Sequence, residues 1–165
     1  MTITGKVIKF GNNIDTDVIL PGPYLVLTDP NELAKHAMEG LDSKFPEKAA
    51  AGVIVIGAKN FGCGSSREQA PIALKYAGVK CVLAESFARI FYRNAITIGL
   101  PVLVCAGVSY KVKEGDELAV NLQTGKVEDK TSGVVLQATK LPEFIMKVLD
   151  DEGLIRHLKR RFETQ

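Results

Sequence analysis

The chain has 165 residues, a length that suits one domain with a substantial core. Its 46% hydrophobic and 24% charged residues are an ordinary globular balance, and a formal net charge of +2 gives no electrostatic ground for a nucleic-acid partner. Three scattered cysteines, Cys63, Cys81 and Cys105, form no CxxC pair and no disulfide framework, and two distant histidines, His36 and His157, make no metal site, so no ligand set for zinc or an iron–sulfur cluster is visible. The most apolar stretches, 53–58 and 98–108, are shorter than the roughly 18 residues that span a bilayer. The start of the chain has no apolar signal region, and the sequence reads as soluble and cytoplasmic.

Residues 2–10 alternate polar and apolar positions and predict a strand. Residues 11–22 are rich in Gly, Asn, Asp and Pro and read mostly as loop, followed by an apolar patch at Tyr24–Thr28. Asp29-Pro30-Asn31-Glu32 starts a helix with Asp29 as its cap. Leu33, Ala37, Met38 and Leu41 give that helix an apolar face, and Gly40 ends it. The β-branched run between Gly52 and Gly57 predicts a strand buried on both faces. A glycine-rich turn, Asn60–Ser66, leads to a helix over 67–76, stopped by Gly78.

Residues 80–84 form a second buried strand. Ser86 is positioned to cap a helix through Phe87, Ile90, Phe91 and Ala95, and residues 102–105 form a third strand. This alternation predicts parallel α/β pairing. Short strands at 118–122, 126–128 and 134–138, separated by turns, predict antiparallel hairpins. Two helices close the chain, the last one basic at Arg156, Lys159, Arg160 and Arg161, as suits a helix C-terminus. The expected fold is α/β: a single domain over residues 1–165, with a mixed or barrel-like sheet and flanking helices.

The turn before the helix at 67–76 carries the clearest chemistry. Gly62 and Gly64 allow close backbone approach, Ser65 and Ser66 offer hydroxyls, and Arg67 offers a planar fork for a carboxylate. A helix start behind them favours an anion. The Walker A lysine and the third glycine of the dinucleotide fingerprint are both missing, which argues against a nucleotide.

Asn60-Phe-Gly-Cys-Gly-Ser-Ser-Arg-Glu-Gln-Ala70 resembles the active-site turn of the swivelling domain of the aconitase superfamily. Residues 86–101 resemble a second block of that family, and Asn13–Leu25 the first. Together the blocks cover most of the chain in the right order. Its length is similar to that of the free-standing small subunits of 3-isopropylmalate dehydratases rather than to a fused aconitase. The resemblance implies a swivelling-type β/β/α domain and a hydro-lyase of leucine biosynthesis. Such an enzyme isomerises 2-isopropylmalate to 3-isopropylmalate through isopropylmaleate. It also implies a large-subunit partner that holds a [4Fe–4S] cluster, with no cofactor and no metal in this chain.

Carried over position by position, the resemblance makes Ser65 the catalytic base, Arg67 the carboxylate ligand, and Ser66 and Gly64 substrate-binding residues. It makes Tyr24, Leu25, Val26, Leu27 and Thr28 the loop that meets the variable substituent. An apolar loop suits an isopropyl group, whereas homoaconitase-like relatives place an arginine there; small subunits acting on homoaconitate, citraconate or dimethylmalate are the alternatives, and a non-catalytic anion-binding module stands further off. Gln69 replaces a histidine common in the family, and Thr97 an asparagine. Asp15 and Asp17 read as an acid/base pair or as loop structure. Arg89 and Arg93 read as ligands or as a solvated helix face, Cys63 as a nucleophile or a packing residue, and His36 as a surface helix residue.

Overall fold

The computed structural model describes residues 1–163. Seven strands form one sheet in the order β4-β3-β2-β1-β5-β6-β7. Four of them run parallel: β1 (Thr2–Lys9), β2 (Val53–Ile56), β3 (Val79–Ala84) and β4 (Val102–Val104). The β-branched run Val53-Ile-Val-Ile56 lies in the middle of this half and is buried throughout, as a strand covered on both faces must be. On the other side of β1 come β5 (Glu117–Asn121), β6 (Lys126–Asp129) and β7 (Val135–Gln137), all antiparallel to their neighbours. The sheet curls until its outer strands meet. Cys105, just past β4, bridges Ala138, just past β7, and Thr139 N–H donates to the Val104 carbonyl at 2.8 Å. The sheet is thus mixed and nearly closed.

Helices α1 (Thr16–Ile19), α2 (Pro30–Ala34), α3 (Phe45–Ala49), α4 (Gln69–Ala77), α5 (Arg89–Thr97), α6 (Val108–Lys111), α7 (Glu143–Asp150) and α8 (Leu154–Glu163) flank it. α4 packs on α2, and α5 contacts α4, α7 and α8. No helix among the described residues is long and apolar enough to cross a membrane.

Several local expectations change. Asp29 does cap α2, its carboxylate accepting from Asn31 N–H at 2.8 Å, but the regular helix ends at Ala34 and continues as turns. Ala37 and Met38 are buried as expected, while Leu41 is 52% exposed and leaves the core face. Residues 11–22 contain α1. The helix expected from Arg67 starts at Gln69; the Arg67 N–H is taken by the Ser65 carbonyl at 2.9 Å in the turn before it. Ser86 does not cap α5, whose N-cap is Ala88; the Ser86 hydroxyl instead accepts from Asn60 N–H at 2.8 Å.

Candidate active site

The loops that follow β1, β2 and β3 gather at the carboxyl ends of the parallel strands, the end where open α/β sheets place ligands. Backbone pairing continues past the strands themselves. Phe10 N–H donates to Ile56 O (2.8 Å), Asn13 N–H to Lys59 O (2.8 Å), Gly62 N–H to Ile14 O (2.8 Å) and Thr16 N–H to Cys63 O (2.8 Å). On the other flank Phe61 N–H donates to Ser86 O and Ala88 N–H to Phe61 O. The segment 60–67 is therefore held between two others, one from each neighbouring strand. Beneath it Phe61, fully buried, packs edge-on against Phe87 and Phe91 at ring distances of 6.0 and 5.3 Å.

This pairing sets three consecutive residues, Asp15, Thr16 and Asp17, against Gly64, Ser65 and Arg67. The Asp15 carboxylate caps α1 by accepting from Asp17 N–H at 2.7 Å, and it fills the space beside Gly64. A Cβ on Gly64 would stand 2.5 Å from an Asp15 carboxylate oxygen, and Gly64 has a φ of +95°, so the position demands glycine.

The Thr16 hydroxyl, 1% exposed, lies 3.0 Å from the Ser65 carbonyl and 3.3 Å from the Ser65 hydroxyl. Ser65 O also accepts from Arg67 N–H at 2.9 Å, so that carbonyl stays satisfied if the single Thr16 hydrogen turns to the Ser65 oxygen. Arg67 points back to donate Nη1–H to Leu20 O at 2.9 Å, and its Nη2 pairs with Asp17 at 2.6 Å. Its side chain is only 18% exposed, and guanidinium donors remain for a ligand. Gly64, Ser65 and Ser66 are exposed on the rim, so the described residues enclose no site there. The anion-favouring start of α4 lies behind Glu68, further from Ser65 than expected; the Thr16 hydroxyl is the polar group that reaches the Ser65 oxygen.

Tyr24–Thr28 begins beside this rim. A Cβ on Gly22 would lie 3.8 Å from the Arg67 Nη2. Residues Gly22–Val26 form a 3-10 turn in which Leu25 is partly buried, and Leu27 beyond it also packs on the core. Val26 is 82% exposed. The Tyr24 ring stacks on His36 at 3.6 Å with the planes 10° apart, and its hydroxyl donates to Glu39 at 2.8 Å. His36 Nδ1 lies 2.6 Å from the other Glu39 oxygen. His36 is thus not a bare surface residue. The motif blocks gave no sign of it, because it lies between two of them, and the helical spacing from His36 to Glu39 was the only clue in the sequence.

Burial raises the Cys63 thiol and the Asp15 carboxylate adds to that rise, which disfavours a nucleophilic thiolate. Asp15 and Asp17 are each engaged in the contacts above rather than facing one another as an acid/base pair. Arg89 and Arg93 are exposed on α5 and have no ion-pair partner among the described residues. No group of three or more His, Cys, Asp or Glu among the described residues is arranged to hold a metal ion.

Comparison with known proteins adds the family. The Aconitase C-terminal domain model matches residues 8–106. The isopropylmalate/citramalate isomerase small subunit of Methanocaldococcus jannaschii is 60% identical, with 96% of this chain and 95% of that protein covered. The 3-isopropylmalate dehydratase small subunit 1 of Methanopyrus kandleri is 54% identical over 96% of this chain and 93% of its own length. This chain belongs to the 3-isopropylmalate dehydratase small-subunit family. The crystal structure of a 3-isopropylmalate dehydratase from Methanocaldococcus jannaschii superposes with a TM-score of 0.94 at 44% identity, covering 100% of this chain and 98% of that one. A small-subunit fold of this family therefore underlies the rim of Gly64, Ser65, Ser66 and Arg67.

Proposed function

We propose that this chain is the small subunit of a cytoplasmic 3-isopropylmalate dehydratase. As one swivelling-type domain over residues 1–165, it acts with a large subunit to interconvert 2- and 3-isopropylmalate through isopropylmaleate. The observation that carries this reading is the pinned pair of Ser65 and Arg67 on an exposed rim in a chain with close small-subunit relatives. A rim open to solvent needs a second surface to exclude water and complete the site.

The implied [4Fe–4S] cluster does not fit this chain. Cys81 and Cys105 are buried, and burial raises both thiols, that of Cys105 to about 11; Cys63 stands apart on the rim loop. The cluster is therefore assigned to the large subunit.

The roles of this chain's residues follow from their positions. Arg67 binds a substrate carboxylate with the donors that Leu20 and Asp17 leave unused, and Ser66 and the backbone at Gly64 line the same anion. Ser65, as its alkoxide, takes a proton from the carbon next to a carboxylate. The C–H electron pair becomes the double bond as hydroxide leaves the neighbouring carbon, and the reverse addition of water returns the proton at the other position. Thr16 supplies a hydrogen bond to the Ser65 oxygen while it carries charge. The exposed apolar Val26 favours an isopropyl substituent over a third carboxylate.

Reconstitution with the large subunit under anaerobic conditions tests the assignment. The isolated chain is expected to be inactive. Ser65→Ala is expected to lower turnover roughly 10²–10³-fold with subunit assembly retained. Near-normal turnover overturns the role of Ser65. A second substrate, citramalate, is supported by the name of the 60% identical relative and by the apolar loop, which also accepts a methyl group.

A further inference from the structure

The turn over Gly22–Val26 has no side-chain cap at its start. Pro21 is the N-cap, and the bonds at the turn's two ends, Tyr24 N–H to Pro21 O and Leu27 N–H to Tyr24 O, are each 3.1 Å. Its polar side-chain anchor is the triangle of Tyr24, His36 and Glu39. Each member touches the other two: ring on ring at 3.6 Å, Tyr24 hydroxyl on Glu39 at 2.8 Å, and His36 Nδ1 on Glu39 at 2.6 Å.

The segment that carries His36 and Glu39 is itself tied to α1. Met38 N–H donates to Ile19 O at 2.7 Å, and Gly40 N–H to Val18 O at 3.2 Å. Gly40 packs so closely that a Cβ there would stand 2.6 Å from the Val18 Cα. The same short helix holds Ser65 through Thr16 and Arg67 through Asp17. One rigid segment thus references both the reacting residues and the loop beside them.

We propose that His36 and Glu39 are specificity-positioning residues, which hold Tyr24 and so fix where Leu25, Val26 and Leu27 stand against the substrate's variable substituent. This rests on the reading of Tyr24–Thr28 as the loop that meets that substituent. Neither residue touches the reacting atoms, so their loss changes substrate fit and leaves the chemical step in place. A ring stack and a charge-assisted hydrogen bond of this kind correspond to about a three- to tenfold change in an equilibrium.

The test uses the enzyme reconstituted with its large subunit and measures kcat and KM for isopropylmalate and for citramalate. His36→Ala and Glu39→Ala are expected to raise KM for isopropylmalate about three- to tenfold, with kcat within about twofold, and to narrow the preference for isopropylmalate over citramalate. Glu39→Gln keeps an acceptor for Tyr24 and turns an amide N–H toward His36 Nδ1, which accepts it as the other neutral tautomer, and is expected to restore the wild-type preference. An equal loss with both acids, no loss with either, or failure of Glu39→Gln to restore the preference overturns the inference. Val26→Arg, measured alongside, separates the two levels. A preference changed by Val26→Arg but not by His36→Ala overturns the positioning role alone. A preference unchanged by both overturns the loop reading itself.

Discussion

Asp17 and Arg67 meet at 2.6 Å, joining a four-residue helix to a turn far along the chain. Asp17 is largely exposed, so the pair contributes little to stability, under about 1 kcal/mol by comparison with other surface ion pairs. Its effect is geometric: with the Leu20 carbonyl it fixes two donors of the guanidinium and orients the rest. Asp17→Ala is expected to raise KM for the hydroxy-acid substrate roughly three- to tenfold and to leave the melting temperature nearly unchanged. Steady-state kinetics of the reconstituted enzyme and a thermal melt of the isolated chain check the two halves.

Thr16 presents a different contact to the same site. Thr16→Val keeps the shape of a fully buried side chain but removes the hydroxyl that reaches Ser65. A hydrogen bond to a charged oxygen is strong enough for kcat to fall about ten- to hundredfold while KM moves little. Thr16→Ser is expected to recover most of the turnover. An unchanged kcat in Thr16→Val would show that Ser65 gains nothing from this hydroxyl.

Gly64 gives a steric prediction. Gly64→Ala forces a methyl group to within 2.5–2.6 Å of the Asp15 carboxylate oxygens at a positive φ, with a strain of about 1–3 kcal/mol. Since Asp15 caps α1, the displacement reaches Thr16 and Asp17, and turnover is expected to be lost along with stability. Gly11→Ala, where a Cβ would meet nothing within 4 Å, is the control and should behave as wild type in both measurements.

Acid sensitivity is expected from Glu85, at the end of β3. Burial works to raise its carboxyl, but the Ser109 and Gly107 N–H groups at 3.0 Å and the Ser109 hydroxyl at 2.7 Å outweigh that and hold it below its ordinary value of 4.5. A carboxylate whose folded pKa is depressed contributes stability above its unfolded pKa and loses it as pH falls through the folded value. The wild-type chain is therefore expected to lose stability below about pH 4.5, and Glu85→Gln to flatten that part of the profile. Urea midpoints taken across pH 3–7 measure both.

Periodicity and punctuation were enough to read β2, whose four β-branched residues admit little besides a buried strand, and the hairpins of β5 to β7, whose turns are marked by glycine. The residue types at 60–67 supply the anion-site reading on which the proposed function rests. What stayed hidden depends on contacts between distant segments. Ser86 has the local chemistry of a cap, yet the unpaired N–H of Asn60 took its hydroxyl. Helix α1 has a local cap in Asp15 but is only four residues long, too short for a hydrophobic period, and its Thr16 N–H takes its partner from distant Cys63. The grouping of His36 and Glu39 with Tyr24 depends on how α2 and its following turns lie against α1, which spacing alone does not encode.

The contact of Cys105 with Ala138 and of Thr139 with Val104 has a consequence for association. Where the two outermost strands meet, this bridge and bond occupy part of each edge, which leaves less free backbone there for an added strand. The Ser65–Arg67 rim lies apart from that seam, so a partner covering it meets loop side chains and the carboxyl ends of the parallel strands rather than a row of edge-strand donors and acceptors.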